Sequence, residues 1–412
     1  MFHFVEIDLA TDPVQECVRM AERQNGVPLL FVGSSDEEVN AFTSSCEGVR
    51  FIQPAKGAMM DGVQCSSKKS HMTHLLCGGE NVAIKSSLLN YCNDALLKAI
   101  RCNGYTLISP EDAIMWADKI DKYNAANIEE GIKRKQLILV AHDTWLLSPA
   151  HQEAYILKML DIPAHTCNGR LLIKLSAKER SAMYWGLQPQ LFESFADAYI
   201  PHSMIHASQL ANYMNAIGVR YNCDSMGPFS HEDISSLLNI VHDTRYNQKG
   251  DDTKAYTSRW YAKQKENAEN VFKDMLNVLL HAGAGGERRE DIAYVMPEEV
   301  LDGIDETKIR SVFRGRGFRP AQQYSGNNCS TACVLCYCAN PYLPSAAINY
   351  LHKNGAELTQ DTYALYHLLR WIGRSAIRDC KPITLYIPSR RMRTLLEDWL
   401  KQQNPNSWMD EE

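Results

Sequence analysis

No apolar run in these 412 residues approaches the roughly 18 that a helix needs to cross a bilayer. The start, Met1-Phe2-His3-Phe4-Val5-Glu6-Ile7-Asp8, has neither the basic opening nor the apolar block of a secretion signal. A soluble cytoplasmic chain is expected, without a membrane partner. A basic excess is missing too: 43 Lys and Arg stand against 49 Asp and Glu, a formal charge of -6. That excludes a histone-like coat of nucleic acid and confines any polyanion site to a local patch. Metal-ligand pairing is absent from the spacing of Cys17, Cys46, Cys65, Cys77, Cys92 and Cys102. Thirteen cysteines, an odd number spread through apolar segments, read mostly as reduced core residues.

What is present is alternation of short apolar runs with helix-start signals, over a length that suits two or three domains. Residues 2–9, Leu29-Leu30-Phe31-Val32, Val49-Arg50-Phe51-Ile52, Thr106-Leu107-Ile108-Ser109 and Gln136 to Ala141 are strand candidates, and 74–77 can resume the sheet after a long loop over 53–74. Pro13 and Pro110 sit where helices open. The pattern predicts an α/β fold with parallel sheets: a first domain over 1–163, a mostly helical insertion or linker over 164–285, and a second α/β domain over 286–412. Ala282-Gly283-Ala284-Gly285-Gly286 reads as a flexible joint.

Four places could carry chemistry. Cys329, Cys333, Cys336 and Cys338 could hold zinc or an iron–sulfur cluster, three of them with CxxxCxxC spacing. Cys336 and Cys338, however, fall in a strand-like run and share its face, whereas cluster ligands usually sit on loops. A phosphate loop would stand between the first strand and first helix, where backbone N–H groups, glycines and a lysine cradle phosphate. Here that stretch is Ala10-Thr11-Asp12-Pro13-Val14-Gln15-Glu16, with no glycine, no lysine and two acids that repel phosphate. A carboxylate for magnesium would end the 136–141 strand, and the sequence offers Asp143 without a glutamate partner.

The fourth is cationic. Lys308, Arg310, Arg314, Arg316 and Arg319 crowd one stretch, with Gly315 and Gly317 permitting close approach, and Arg390, Arg391 and Arg393 form a second cluster. On a helix from Asp361, Leu365, Leu368, Leu369, Ile372 and Ala376 share one face and Arg370, Arg374 and Arg378 the other. Lys381-Pro382 ends that helix, a core strand follows over 383–387, and Ser389 caps another helix.

The segment Arg370-Trp371-Ile372-Gly373-Arg374-Ser375-Ala376-Ile377-Arg378 resembles the arginine-finger motif of superfamily 2 helicases, with Arg370 where that family opens on glutamine. The following strand and Tyr386-Ile387-Pro388-Ser389-Arg390-Arg391-Met392-Arg393 resemble DEAD-like helicases of phages and mobile elements. More loosely, 29–36, 106–113 and 136–144 resemble the strand after the ATP motif, a nucleic-acid-contacting loop and the Asp-Glu box. The resemblance implies two RecA-like domains, with Arg374, Arg378 and Asp143 as the residual catalytic candidates. It implies Arg310, Arg314, Arg316, Arg319, Arg370, Arg390, Arg391 and Arg393 as nucleic-acid contacts, DNA more than RNA. The departures all fall on ATP, so no cofactor is expected, ATP with magnesium being the one weighed. The expectation is a catalytically silent helicase-like protein acting in replication or recombination, or as a scaffold for such proteins, in the host cytoplasm if phage-encoded. The alternatives are an ATPase completed by a partner subunit and a metalloenzyme built on the cysteine cluster.

Overall fold

Two parallel sheets, a five-stranded antiparallel sheet and a two-stranded antiparallel pair (Met59–Met60 with Val63–Gln64) carry the chain in the computed structural model. It describes all residues except 25, 61, 90–93, 112, 163–170, 178–179, 226–233, 243–246, 264–265, 282–291, 298–299, 301–318, 321–330 and 404–412. Two compact units divide it. Met1–Ile7, Asp12–Pro228 and Leu343–Thr359 form one, and Asp8–Thr11, Phe229–Tyr342 and Gln360–Glu412 the other.

In the first unit the parallel strands are β1 (Phe2–Glu6), β2 (Leu29–Gly33), β3 (Val82–Lys85) and β4 (Thr106–Ile108). An antiparallel excursion follows: β5 (Ala117–Lys119), β6 (Leu137–Ala141), β7 (Thr144–Leu147), β8 (Leu171–Ala177) and β9 (Arg180–Gly186). The chain then returns to the parallel sheet with β10 (Asp197–His202) and β11 (Tyr221–Ser225), giving the order β11-β1-β10-β4-β2-β3. All five residues of β2 are buried, as in a strand covered on both faces. Helix α1 (Pro13–Arg23) opens on an Asp12 cap whose side chain accepts from the Val14 amide, with proline in its first turn. Helix α2 (Asp36–Ser45) opens on Ser35. Their apolar faces meet the sheet in one cluster that includes Val5, Cys17, Val18, Phe31, Val39, Phe42 and Ile108.

Several sequence expectations shift here. The 136–141 run is not in the parallel sheet. It is β6, at the edge of the antiparallel sheet β5-β9-β8-β7-β6. An apolar run of this length suits a buried parallel strand and an antiparallel one alike, and only pairing decides. The boundary read at 163 therefore falls inside that antiparallel excursion. Residues 164–285 do hold helices, among them α4 (Ser258–Lys263) and α5 (Glu266–His281), but also strands β8 to β11. Residues Lys68–Cys77, expected as loop and strand, form a helix capped by Ser67. Of the 49–52 strand only an isolated bridge, Ile52 to Val82, is made. Helix α3 (Ala125–Lys133) packs on the antiparallel sheet through Ile128, beside Leu137, Leu147, Leu172 and Trp185.

The second unit is a parallel sheet in the order β12-β16-β15-β13-β14, from β12 (Leu238–Ile240), β13 (Ile292–Val295), β14 (Arg319–Pro320), β15 (Val334–Tyr337) and β16 (Ile383–Tyr386). Val334, Cys336 and Cys338, alternate residues on one face, join Phe272 and Met275 of α5, Tyr256, Tyr294 and Tyr386 in its core. The glycine joint at 282–286 lies outside the described residues. Helix α6 (Ser345–Lys353) belongs to the first unit; α7 (Gln360–Ile372) and α8 (Arg390–Gln403) belong to the second.

Gly250, in the turn before Tyr256, lies against the Pro388 carbonyl so closely that a Cβ would overlap it. The obstacle is backbone, which cannot rotate away. Gly250→Ala is expected to lower stability by about 2 kcal/mol, the scale of overpacking a close contact. A guanidinium melt followed by tryptophan fluorescence measures it, and an unchanged midpoint counts against this contact.

Candidate functional site

The carboxyl ends of the strands in the first parallel sheet, where ligands of α/β folds usually bind, carry an acidic set. Glu6 ends β1. Beyond β2, Glu38 accepts hydrogen bonds from the Ser34 amide (2.6 Å) and hydroxyl (2.8 Å). After β4 comes Glu111, buried, accepting from the Ser203 amide at 3.0 Å and its hydroxyl at 3.2 Å. The strand beside β1 ends in His202, fully buried, whose Nδ1 takes the Met204 amide at 3.0 Å and stands 3.4 Å from Glu111. A ring nitrogen that accepts from an amide has its proton on the other nitrogen, so this approach is not an ion pair. Burial and His202 lower the neighbouring His206 pKa, with Glu6 opposing. Lys85, at the end of β3, leans toward Asp36 at 4.0 Å.

The connection from β1 to α1 is closed on itself. The Ala10 amide donates to the Asp8 carboxylate (2.8 Å), the Thr11 amide to the Asp8 carbonyl (2.9 Å) and the Val14 amide to the Asp12 carboxylate (2.9 Å), while Pro13 has no N–H. Glu16 is buried in the first turn of α1, with one oxygen 2.8 Å from Arg19 and the other lacking a hydrogen-bond partner. Cys17 senses this charge. Its thiol is pushed well above the ordinary range by burial first, then by Glu38, Glu16 and Asp12. A helix N-terminus binds phosphate through free amides and a positive potential. Here the Asp8 and Asp12 carboxylates and the Asp8 carbonyl hold these amides, and the nearby side chains include the acids Asp12, Glu16 and Glu38.

Asp143 stands elsewhere. It is in the two-residue turn between β6 and β7, at φ +54°, with its carbonyl accepting from the Lys174 amide (2.8 Å) and its carboxylate 3.1 Å from Lys353. The 136–141 strand that Asp143 follows thus lies outside the parallel sheet, in which β1 lies between β10 and β11, and β10 ends in His202. Sequence reasoning missed His202 and Glu111. The local signals available were the Pro201-His202 break after an apolar run and the Pro110-Glu111 helix start.

The arginines divide. Helix α7 ends at Ile372, and Ala376–Asp379 is a separate 3₁₀ turn capped by Ser375, so Arg370, Arg374 and Arg378 do not form one solvent-facing stripe. Arg370 is buried, 6.0 Å from the Tyr366 ring centroid; Arg374 and Arg378 are half-buried, and Arg378 Nε donates to the Gly373 carbonyl at 2.7 Å. Gly373 and the Ser375 cap break the helical period. Arg391 is 13% exposed. It binds Asp361 through Nε (2.9 Å), Asn340 through Nη1 (2.7 Å) and the Gln360 carbonyl through Nη2 (2.8 Å), 4.2 Å over the Tyr342 ring. Arg393 donates to the Ile387 and Pro388 carbonyls at 2.6 and 2.9 Å. Arg390 is exposed. Arg310, Arg314 and Arg316 lie outside the described residues, and Arg319 is known only as backbone in β14.

Cys329 likewise lies outside the described residues. Cys333 is half-buried, and Cys336 and Cys338 are fully buried in the core. Burial pushes the Cys336 thiol up to about 12, and burial, then Cys336, pushes Cys338 well above its ordinary range. Metal ligation needs thiolates, which this environment disfavours. Among the described residues no group of three or more His, Cys, Asp or Glu could hold a metal ion.

The folds of both units are thus of the α/β class, with parallel sheets covered by helices. Residues 232–400 match the model of the YonV C-terminal Rossmann-like domain. Over 410 residues, 93% of this chain and 94% of the relative, the chain is 23% identical to the SPbeta prophage-derived uncharacterized protein YonV of Bacillus subtilis (strain 168). Among solved structures, an XPD helicase aligns with 96% of this chain and 90% of its own at TM-score 0.40 and 11% identity. Xpd4 of S. tokodaii aligns with 97% and 94% at TM-score 0.44 and 9% identity. No helix among the described residues is long and apolar enough to cross a membrane.

Two outcomes follow from these environments. Arg391→Ala should cost about 2–3 kcal/mol, because it leaves partly buried acceptors unpaired, while Arg390→Ala should stay within about 0.5 kcal/mol; urea melts of both separate them. Cys336 titrates higher folded than unfolded, so its contribution is complete below an unfolded value of about 8.5. It is lost as pH rises toward about 12. Burial raises Tyr256 and Tyr386 in the same direction. Circular dichroism from about pH 8 to 12 should show progressive alkaline loss of stability, reduced in Cys336→Ser.

Proposed function

We propose that this chain is a helicase-like, nucleic-acid-binding protein of prophage type that does not hydrolyse ATP, and that it acts in replication or recombination. The observation that carries the silent reading is the β1–α1 connection. Its amides serve Asp8 and Asp12, and Glu16 is buried in the first turn of α1 with Glu38 beyond β2, where a phosphate would need cations. Removing oxyanion-type stabilisation costs about 3–4 kcal/mol per donor in enzymes that depend on it. No lysine follows β1 to offset this, since Asp8 to Glu16 contains none.

Support for a nucleic-acid ligand comes from the cationic stretch Lys308 to Arg319 and from exposed Arg390. Similarity to a prophage-derived protein along nearly the whole chain supports the phage setting. Arg391 and Arg393 are engaged within their own unit, so the contact set proposed is Arg310, Arg314, Arg316, Arg319 and Arg390, with Arg374 and Arg378 secondary.

The test uses the full chain, a fluorescent ATP analogue and an oligo-dT strand of about thirty nucleotides. Turnover should not exceed the blank, with or without DNA, and measurable turnover by purified chain overturns the silent reading. Anisotropy titrations between about 50 and 200 mM salt should give a slope that falls by about 0.7 for each phosphate contact removed. Arg314→Ala with Arg316→Ala should therefore flatten it by about 1.4. An unchanged slope removes this stretch from the interface.

A further inference from the structure

Edge strands in natural sheets usually carry charge, proline or a cover that stops other strands from pairing with them. The β6 edge does not follow that practice along its middle. It pairs with β7 on one side, and Ile138, Leu139 and Val140 are 41%, 64% and 51% exposed. The Ser148 amide donates to the Gln136 carbonyl, so the antiparallel alternation turns the amides and carbonyls of Leu137 and Leu139 away from β7. A bulge between Leu139 and Ala141 ends this open stretch.

The strand is also held still. His142 is bonded through both its amide and carbonyl to the Asn354 side chain (2.8 and 3.1 Å), and the Thr144 hydroxyl meets the Tyr350 hydroxyl at 2.8 Å. The flanks are cationic. Lys133, Arg134 and Lys135 are exposed before β6, and Lys174 is exposed near its far end. Glu130 answers Arg134 at 2.8 Å, Lys353 answers Asp143 at 3.1 Å and exposed Glu129 lies one helical turn before Lys133, which leaves a net excess of two cations among Lys133, Lys135 and Lys174.

We propose that β6 is a docking edge for an extended segment of a partner protein, apolar in its middle and acidic at its ends, which adds to the antiparallel sheet as a sixth strand. Main-chain bonds to Leu137 and Leu139 supply register, and the exposed apolar side chains supply contact area. Charge selects the partner. A second copy of this chain would bring the same cations and an already neutralised Asp143 to the edge, whereas acidic ends meet Lys133, Lys135 and Lys174.

The probe is a fluorescein-labelled peptide of alternating valine and threonine with two aspartates at each end, set against a twin bearing lysines in their place. Full-length chain should bind the acidic peptide about tenfold or more tightly than the twin, with amide exchange slowed at Leu137 and Leu139. Leu139→Asp, at an exposed position, should weaken binding about tenfold or more, and Lys133→Glu with Lys135→Glu should invert the preference between the peptides. Equal affinity for both, or no binding of the acidic peptide at about 1 mM, overturns the proposal. So does a concentration-dependent dimer that Leu139→Asp dissolves, which assigns the edge to a second copy. Displacement of the peptide by oligo-dT overturns it in favour of nucleic acid.

Discussion

The pairing of β1 with strands that arrive much later in the chain is the constraint from which the first unit follows. Phe2 stands in register with Ala198 on one side and Tyr221 on the other. A strand held between two others on both edges has its backbone satisfied and its side chains buried, so everything between β4 and β10 must leave the parallel sheet and come back. The antiparallel sheet is that excursion. It has its own core around Leu137, Leu147, Leu172 and Trp185. Closing such long loops costs entropy that grows only slowly with length, and the core of the excursion offsets it.

The same pairing decides what stands at the ligand-binding end of the sheet. Because β10 is the neighbour of β1, its terminal His202 stands beside Glu6, with Glu111 3.4 Å from its ring. Glu38 stands beyond β2 and Glu16 in the first turn of α1. Arg19 answers Glu16 and Lys85 leans toward Asp36, while burial first, and then Glu38, Glu16 and Asp12, raise the Cys17 thiol. The turn then has no need of an anion, because Asp8 and Asp12 already provide one for each amide they hold.

Much of this was legible in the sequence where the signal is local. Asp12-Pro13 and Ser35 announced helix starts, Leu29 to Val32 announced a buried strand, and the alternation at Cys336 and Cys338 placed both thiols on one core face. The acidic, glycine-free turn after β1 was readable for the same reason. What the sequence hid was pairing over distance. Gln136 to Ala141 reads identically as a parallel or an antiparallel strand, and nothing near Pro201-His202 tells that it lies beside Val5 and Glu6. The arginine stripe failed differently. Its helical spacing was real on paper, but Gly373 and Ser375 stop α7 before the second and third arginines.

That failure bears on how cationic surface should be counted. A guanidinium is a planar fork that suits carbonyls and carboxylates inside a protein as well as phosphates outside it. Arg391 makes the inward use of it, tying the start of α8 to Asp361, Asn340 and the Gln360 carbonyl, and Arg393 does the same for the carbonyls that precede its helix. Of three consecutive-looking cations in one motif, only Arg390 faces water. A row of arginines after a core strand is therefore as much a device for anchoring the next helix as a polyanion surface. The two uses differ by a single register position, since neighbours on a helix lie about 100° apart and one turn toward the core exchanges solvent for carbonyl oxygens.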